Sequence, residues 1–289
     1  MFIVYSYSLA VFFCVITMLC WGSWGNTQKL AGKTWRYELF YWDYVIGILL
    51  FSLLSAAISI AGLSVAFPVG IGLALVLGVL INYIGAAKGD PVLLFCGVAL
   101  VTLAIVLNAL AYRKMTAKTK KVSSKGIVIS LIAGLLMSFF YRFVAASMDL
   151  DNFVSPAAGK MTPYTAMFIF ACGIFASNFI FNTMVMKKPF EGAPVKYSAY
   201  FKGPLKIHWV GILGGLIWGL GNAFNLIAAG KAGAAISYGL GQGATLVSAF
   251  WGVIIWKEFK DAPKSANNYL YAMFALFLVG LGLIIAAGT

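Results

Sequence analysis

Nine apolar runs, each about as long as a bilayer core is thick, follow one another with little between them. They are Val4–Trp24, Phe40–Ala61, Gly62–Ile84, Val92–Tyr112, Gly126–Ser147, Pro163–Met186, Ile207–Ala229, Ala232–Trp256 and Tyr269–Ala287. About 20 residues rising 1.5 Å each cross the hydrocarbon layer. Inside that layer every backbone amide and carbonyl must bond within the protein, which leaves helices or a closed barrel. The runs lack the apolar–polar alternation of barrel strands, so an all-α membrane protein is expected. Composition agrees: 62% of residues are hydrophobic and 10% charged, against about a quarter charged in soluble domains.

The formal net charge is +13. In a soluble protein that excess would suggest nucleic acid. Here the cations crowd into short loops beside apolar runs, the pattern of cytoplasmic loops, and no nucleic-acid partner is expected. Lys29, Lys33 and Arg36 lie in 26–38, and six basic residues with no acid lie in 113–125. The loop after Ser147 holds Asp149, Asp151 and Lys160 and is expected outside; Lys187–Lys206 is expected at the cytoplasmic surface. The first run lacks a basic leader and a small-residue cleavage site, so it reads as a retained span. Cys14, Cys20, Cys96 and Cys172 sit inside apolar runs without CxxC spacing. Neither a disulfide framework nor a metal site is indicated.

Both strongly basic loops should share one side, yet three runs separate them. The basic run 113–125 reads as a cytoplasmic linker between a first helical repeat, 1–112, and a second, 126–289. Aligning the halves leaves the first short by about one span, and the deficit falls near Ser55–Ile58. The run Phe40–Ala61 would then begin as one helix and end as another.

Two runs carry glycine where a helix former would serve better. Gly239, Gly241 and Gly243 alternate around Gln242, and Gly62, Gly70 and Gly72 align with Gly233, Gly241 and Gly243 at one constant offset. Glycine lets another backbone or a solute come close. Gly70, Gly72, Gly239, Gly241 and Gly243 are therefore candidate close-packing positions. A glycine-interrupted span repeated in both halves points to a transporter binding site at their meeting.

Polar side chains at depth are costly unless paired or wetted. Trp218, Asn222 and Asn225 are spaced i, i+4, i+7 on one face of their run, and Tyr238 and Gln242 are spaced i, i+4. Amides donate and accept hydrogen bonds, and indole and phenol rings stack on flat rings and sugar faces. That set suits a small, neutral, polar solute, though the asparagines would serve equally to knit helices together. Arg142, late in its run, is open to three readings: a solute contact, an ion pair with Asp149 or Asp151, or a side chain reaching to the surface. Asp43 and Glu258 are the acids nearest the spans and are candidates for coupling to a proton or cation, or merely balance nearby Lys and Arg. His208, the one histidine, reads as interfacial. No GxxxxGK[ST], nucleophile–base pair, metal motif or dinucleotide fingerprint occurs, so no enzyme, cofactor or ATP-driven pump is expected.

Six segments, in order along nearly the whole chain, resemble the ureide permease family of the drug/metabolite transporter superfamily. They are Leu19–Trp24 (LCWGSW), Tyr41–Tyr44 (YWDY), Gly62–Val65 (GLSV), Leu80–Tyr83 (LINY), Gly219–Asn222 (GLGN) and Phe250–Glu258 (FWGVIIWKE). The rhamnose and glucose/ribose porters are similar in pattern. The resemblance implies ten helices in two inverted five-helix repeats around a central cavity. It also implies pocket roles for Trp21 and Trp24, which position alone would assign to an interfacial belt. The expectation is an inner-membrane permease, a secondary transporter for a ureide- or nucleobase-like solute working by alternating access. A monosaccharide porter, or a non-transporting membrane scaffold, is the alternative.

Overall fold

The computed structural model describes residues 3–32, 35–55, 66–116, 124–189, 192–260 and 262–289. The helices are α1 (Tyr7–Ser23), α2 (Gly25–Ala31), α3 (Tyr37–Ser55), α4 (Ala66–Gly85), α5 (Pro91–Thr116), α6 (Ser124–Ser147), α7 (Pro163–Lys187), α8 (Tyr197–Phe201), α9 (Leu205–Ala232), α10 (Ala234–Gly241), α11 (Ala244–Phe250) and α12 (Lys264–Ala286), with a π-helical turn at Trp251–Ile255. Among the described residues six stretches are long and apolar enough to cross a membrane: Tyr7–Ala31, Pro91–Tyr112, Pro163–Lys187, Leu205–Ala232, Ala234–Ile255 and Lys264–Ala286.

Local chemistry sets several boundaries. The Ser6 hydroxyl accepts from the Leu9 amide and starts α1; Thr162 accepts from Thr165 and starts α7, with Pro163 in its first turn. Gly233, at φ +87°, turns α9 into α10. The first span continues past its expected end at Trp24. Its polar continuation is held by burial of Thr27 and Ala31 and by Asn26, whose amide oxygen accepts from the Trp256 indole.

Contacts fix the direction of each helix. Lys29 pairs with Glu258, and the Tyr112 hydroxyl donates to the same carboxylate at 2.8 Å. Asp43 meets Tyr200 and His208. The ends of α2 and α5 and the starts of α3 and α9 therefore lie at one end, the basic end. At the opposite end the Asp90 amide donates to the Ala287 carbonyl, and Lys88 to that of Gly230. Consequently α3 and α4 both run from the basic end toward the opposite one, although consecutive in the chain. The expected deficit begins at Ser55, the last residue of α3; Ile58 lies outside the described residues. The run Gly62–Ile84 is described from Ala66 onward.

Among the described residues, glycines bring helix pairs to backbone contact at several crossings, of which two are closest to reciprocal. A Cβ on Gly47 would fall inside the Ile212 carbonyl group, and one on Gly215 would fall against the Tyr44 carbonyl and within 2.7 Å of the Ile48 nitrogen. That is the crossing of α3 and α9. Gly97 and Gly280 do the same for α5 and α12, each 2.6–2.8 Å from the other's carbonyl oxygen were a Cβ added. Small residues at crossings supply the van der Waals contact that drives association between helices in lipid.

Candidate functional site

The middle of the bundle is built where α1, α9 and α10 meet. Trp21 and Trp218 stack with ring centroids 5.2 Å apart and planes 17° from parallel. Both are buried. Glycines make room for Trp21 on both sides: a Cβ on Gly221 would lie 2.9 Å from its ring, and one on Gly241 would lie 2.8 Å from it. Thr17 ties α1 to α9 by donating to the Gly221 carbonyl at 2.8 Å.

The three polar positions read as one face of α9 turn out to serve three neighbours. Trp218 faces α1. Asn222 donates to the Met167 sulfur on α7 at 3.1 Å. Asn225 donates to the Ser237 carbonyl on α10 at 2.9 Å, and its own carbonyl accepts from the Ser237 hydroxyl at 2.8 Å and from the Tyr141 hydroxyl at 3.3 Å. Tyr141 and Ser237 were not anticipated; Ser237, four residues before Gly241, offered only its depth as a signal. Even so, Trp21 Nε1, Asn222 Oδ1, Asn225 Oδ1, the Tyr238 hydroxyl and Thr245 Oγ1 are buried without a hydrogen-bond partner among the described residues. Buried polar atoms are nearly always satisfied by protein or ordered water, and Asn82 Oδ1 on α4, Asn108 Oδ1 on α5 and both amide atoms of Asn178 on α7 are in the same state.

The glycine segments meet, but through partly different residues. Tyr238 lies over Gly78 of α4, where a Cβ would collide with its ring, and Gly239 faces Val79. Gly243 faces Met18 and Leu281. A Cβ added to Gly72, by contrast, would lie at an ordinary 3.5 Å from Ile105, so the close approach falls at Gly78. Gly70 lies in α4. Between the two helices of this span, Gln242 and Gly243 form a break. The amides of Gly243, Thr245 and Leu246 bond three residues back, to Leu240, Gln242 and Gly243, the tighter 3₁₀ pattern. The Gln242 side chain, 5% exposed, makes no hydrogen bond among the described residues. Trp24 is buried against Tyr44, ring centroids 4.6 Å apart, rather than lying in an exposed belt.

Arg142 does not pair with Asp149 or Asp151. Its guanidinium lies over Gly85. Asp149 instead accepts from the Asn152 and Ala157 amides, and the Ala157 bond holds its carboxyl below the usual range.

Asp43 occupies the basic end, fully buried. Trp35 Nε1 donates to its Oδ2 at 2.9 Å, the Tyr200 hydroxyl to Oδ1 at 2.7 Å, and His208 Nδ1 lies 2.6 Å from Oδ1. Burial, reinforced by the bond to Asp43, pushes the Tyr200 hydroxyl above the usual phenol range. His208 is thus the part-buried partner of a buried acid and not a free interfacial residue. Glu258 is different. It is part-exposed, paired with Lys29 and bonded by Tyr112, with Lys29 also 5.1 Å from the Trp256 ring centroid. It fastens three elements. Glu258→Gln is expected to cost only about 1 kcal/mol, the scale of an exposed pair, read as a small shift in thermal unfolding.

A family model for ureide permeases matches residues 112–287. The chain belongs to that family. Among ureide permeases of Arabidopsis thaliana, ureide permease 2 is 29% identical over 164 residues, 56% of this chain and 41% of that protein, and ureide permease 1 is 28% identical over the same length. The chain spans about two fifths of the length of these plant relatives. A Streptococcus pyogenes serotype M1 protein whose name proposes sugar uptake is 26% identical over 285 residues, 93% of this chain and 96% of that one. Family membership and the six apolar helices make this an integral multi-pass membrane protein.

Proposed function

We propose that the chain is a secondary transporter carrying a small, neutral, polar solute by alternating access. The observation that carries this reading is the stacked Trp21–Trp218 pair at mid-depth, with unsatisfied polar atoms of Trp21, Asn222, Asn225, Tyr238 and Thr245 in the helices around it. A flat or ring-shaped solute would part the two indoles and take the hydrogen bonds those atoms lack. Gln242, at the break in its span, is the movable amide, and Arg142 and Trp24 flank the path at opposite ends. A ureide or nucleobase is favoured by the family; a monosaccharide is the second reading, favoured by the relative named for sugar uptake that aligns almost end to end. A non-transporting scaffold remains the outcome if no solute moves.

Helix direction supports two inverted repeats, 1–112 and 126–289, joined by 113–125. The pairs α1 and α6, α3 and α7, α4 and α10–α11, and α5 and α12 each run in opposite senses. Among the described long helices α9 lacks a counterpart, and the shared direction of α3 and α4 is what one missing crossing would leave. The basic end would face the cytoplasm of a cell whose inner membrane holds the protein. A proton is the favoured co-transported ion, with Asp43 and His208 as its carriers in preference to Glu258.

The test is uptake into proteoliposomes of labelled nucleobases, ureides and monosaccharides. Asn222→Leu and Gln242→Leu are each expected to abolish uptake while leaving insertion intact. Wild-type uptake by both variants would rule the site out.

A further inference from the structure

The segment from Gly192 to Trp209 contains no acidic residue and two kinds of outward side chain. Phe201, Leu205 and Trp209 are 78%, 70% and 58% exposed. Lys196, Lys202 and Lys206 are also exposed, and none forms an ion pair among the described residues. Lys187 and Lys188 extend the same charge at the end of α7. The inner side is fastened. Val195 donates to the Met186 carbonyl at 2.9 Å, Tyr200 to Asp43 at 2.7 Å, and Gly203 is wedged against Trp35. The segment is therefore a strap, bonded inward over the crossing of α3 and α9, with apolar groups and unpaired cations turned outward.

We propose that this strap is a binding surface for anionic lipid. Phe201, Leu205 and Trp209 seat at the boundary between headgroups and acyl chains, and Lys196, Lys202 and Lys206 take the phosphates above them. Aromatic and aliphatic groups beside lysines suit that boundary, where one side of the residue set is apolar and the other wet. Lysines near an anionic leaflet are attracted to it; the nearby acids are Glu191, which precedes the segment in the sequence, and Asp43, which is committed to Trp35, Tyr200 and His208, so the five lysines from Lys187 to Lys206 leave a net positive charge. Because Tyr200 reaches Asp43, the same lipid layer presses the strap onto the start of α9, the helix that carries Trp218, Asn222 and Asn225.

The experiment reads Trp209 directly and needs no transport. Intact protein is placed in nanodiscs containing either phosphatidylglycerol or phosphatidylcholine brominated high on the acyl chain. The fluorescence of a Trp209→Phe variant is subtracted to isolate Trp209 from the other indoles. Quenching is expected to be at least about twofold deeper with phosphatidylglycerol. In the triple variant Lys196→Ser, Lys202→Ser, Lys206→Ser the two lipids are expected to quench alike. Equal quenching of the wild-type protein by both lipids overturns the proposal, and so does a preference that survives in the triple variant. Unchanged helical circular dichroism in that variant shows that the comparison is made on folded protein.

Discussion

Gly47→Leu is expected to leave almost no folded protein. Its first side-chain carbon would enter the Ile212 carbonyl, a backbone group held in the ladder of α9. A flexible side chain can swing away from an intruder, but a helical carbonyl cannot move without its neighbours. One turn further along, Gly215 meets the Tyr44 carbonyl in the same way, so the two helices have no slack to separate locally. Overpacking in ordinary cores costs about 1–3 kcal/mol; a clash of backbone with backbone belongs at or above the top of that range. The measurement is the yield of monodisperse protein in detergent, with the thermal midpoint of whatever remains. Gly173→Ala is the control, because a Cβ there meets nothing within 4 Å; it should be neutral or slightly stabilising, as alanine is the better helix former. If Gly47→Leu behaves like that control, the crossing of α3 and α9 is wrongly described.

The second large effect is expected at Asp43. Asp43→Leu removes the group shared by Trp35, Tyr200 and His208 and leaves the buried Trp35 indole N–H and the part-buried Tyr200 hydroxyl without their acceptor. Breaking one side of a buried pair costs about 3–5 kcal/mol, enough to consume much of a typical domain's stability. Asp43→Asn keeps an acceptor oxygen and nearly the same volume, so it should fold. Its defect should be functional: solute exchange across equal concentrations continues, while uptake driven by a proton gradient falls about tenfold or more, because the site can no longer change charge. Proton-driven accumulation at the wild-type rate in Asp43→Asn would remove Asp43 from coupling. Absence of all solute exchange in the wild-type protein would instead remove the transport reading itself.

The helices were legible because their signals are local. Run length and polarity located α5, α6, α7, α9 and α12 to within a few residues, and the glycines around Gln242 marked a span that breaks. Partnerships across the bundle were not legible. Asp43 and His208 are 165 residues apart, and a single histidine at the start of a span looks interfacial until its partner is known. Trp21 and Trp218 were each visible as aromatics, but their stacking depends on glycines at 221 and 241 opening room from two different helices. Spacing placed Trp218, Asn222 and Asn225 on one face. The structure divides that face among α1, α7 and α10, because a helix surrounded on most sides presents adjacent residues to different neighbours. The assignment to Gly72 missed by six residues, since a constant offset between halves says which segments correspond and not which atoms touch.

Polar ties between residues before the basic linker and residues after it include a set at each rim of the molecule, besides those at mid-depth such as Thr17 on Gly221. At one rim are Lys29 and Tyr112 on Glu258, with Asp43 on Tyr200 and His208; at the other are Lys88 on the Gly230 carbonyl, Asp90 on Ala287 and Tyr7 on Ile285. Both rims are fastened at once. A seesaw of the two halves would need only one set of fasteners released at a time, while the other serves as its fulcrum. If the molecule works this way, opening the centre to either side requires both the release of one rim's polar ties and the parting of Trp21 from Trp218.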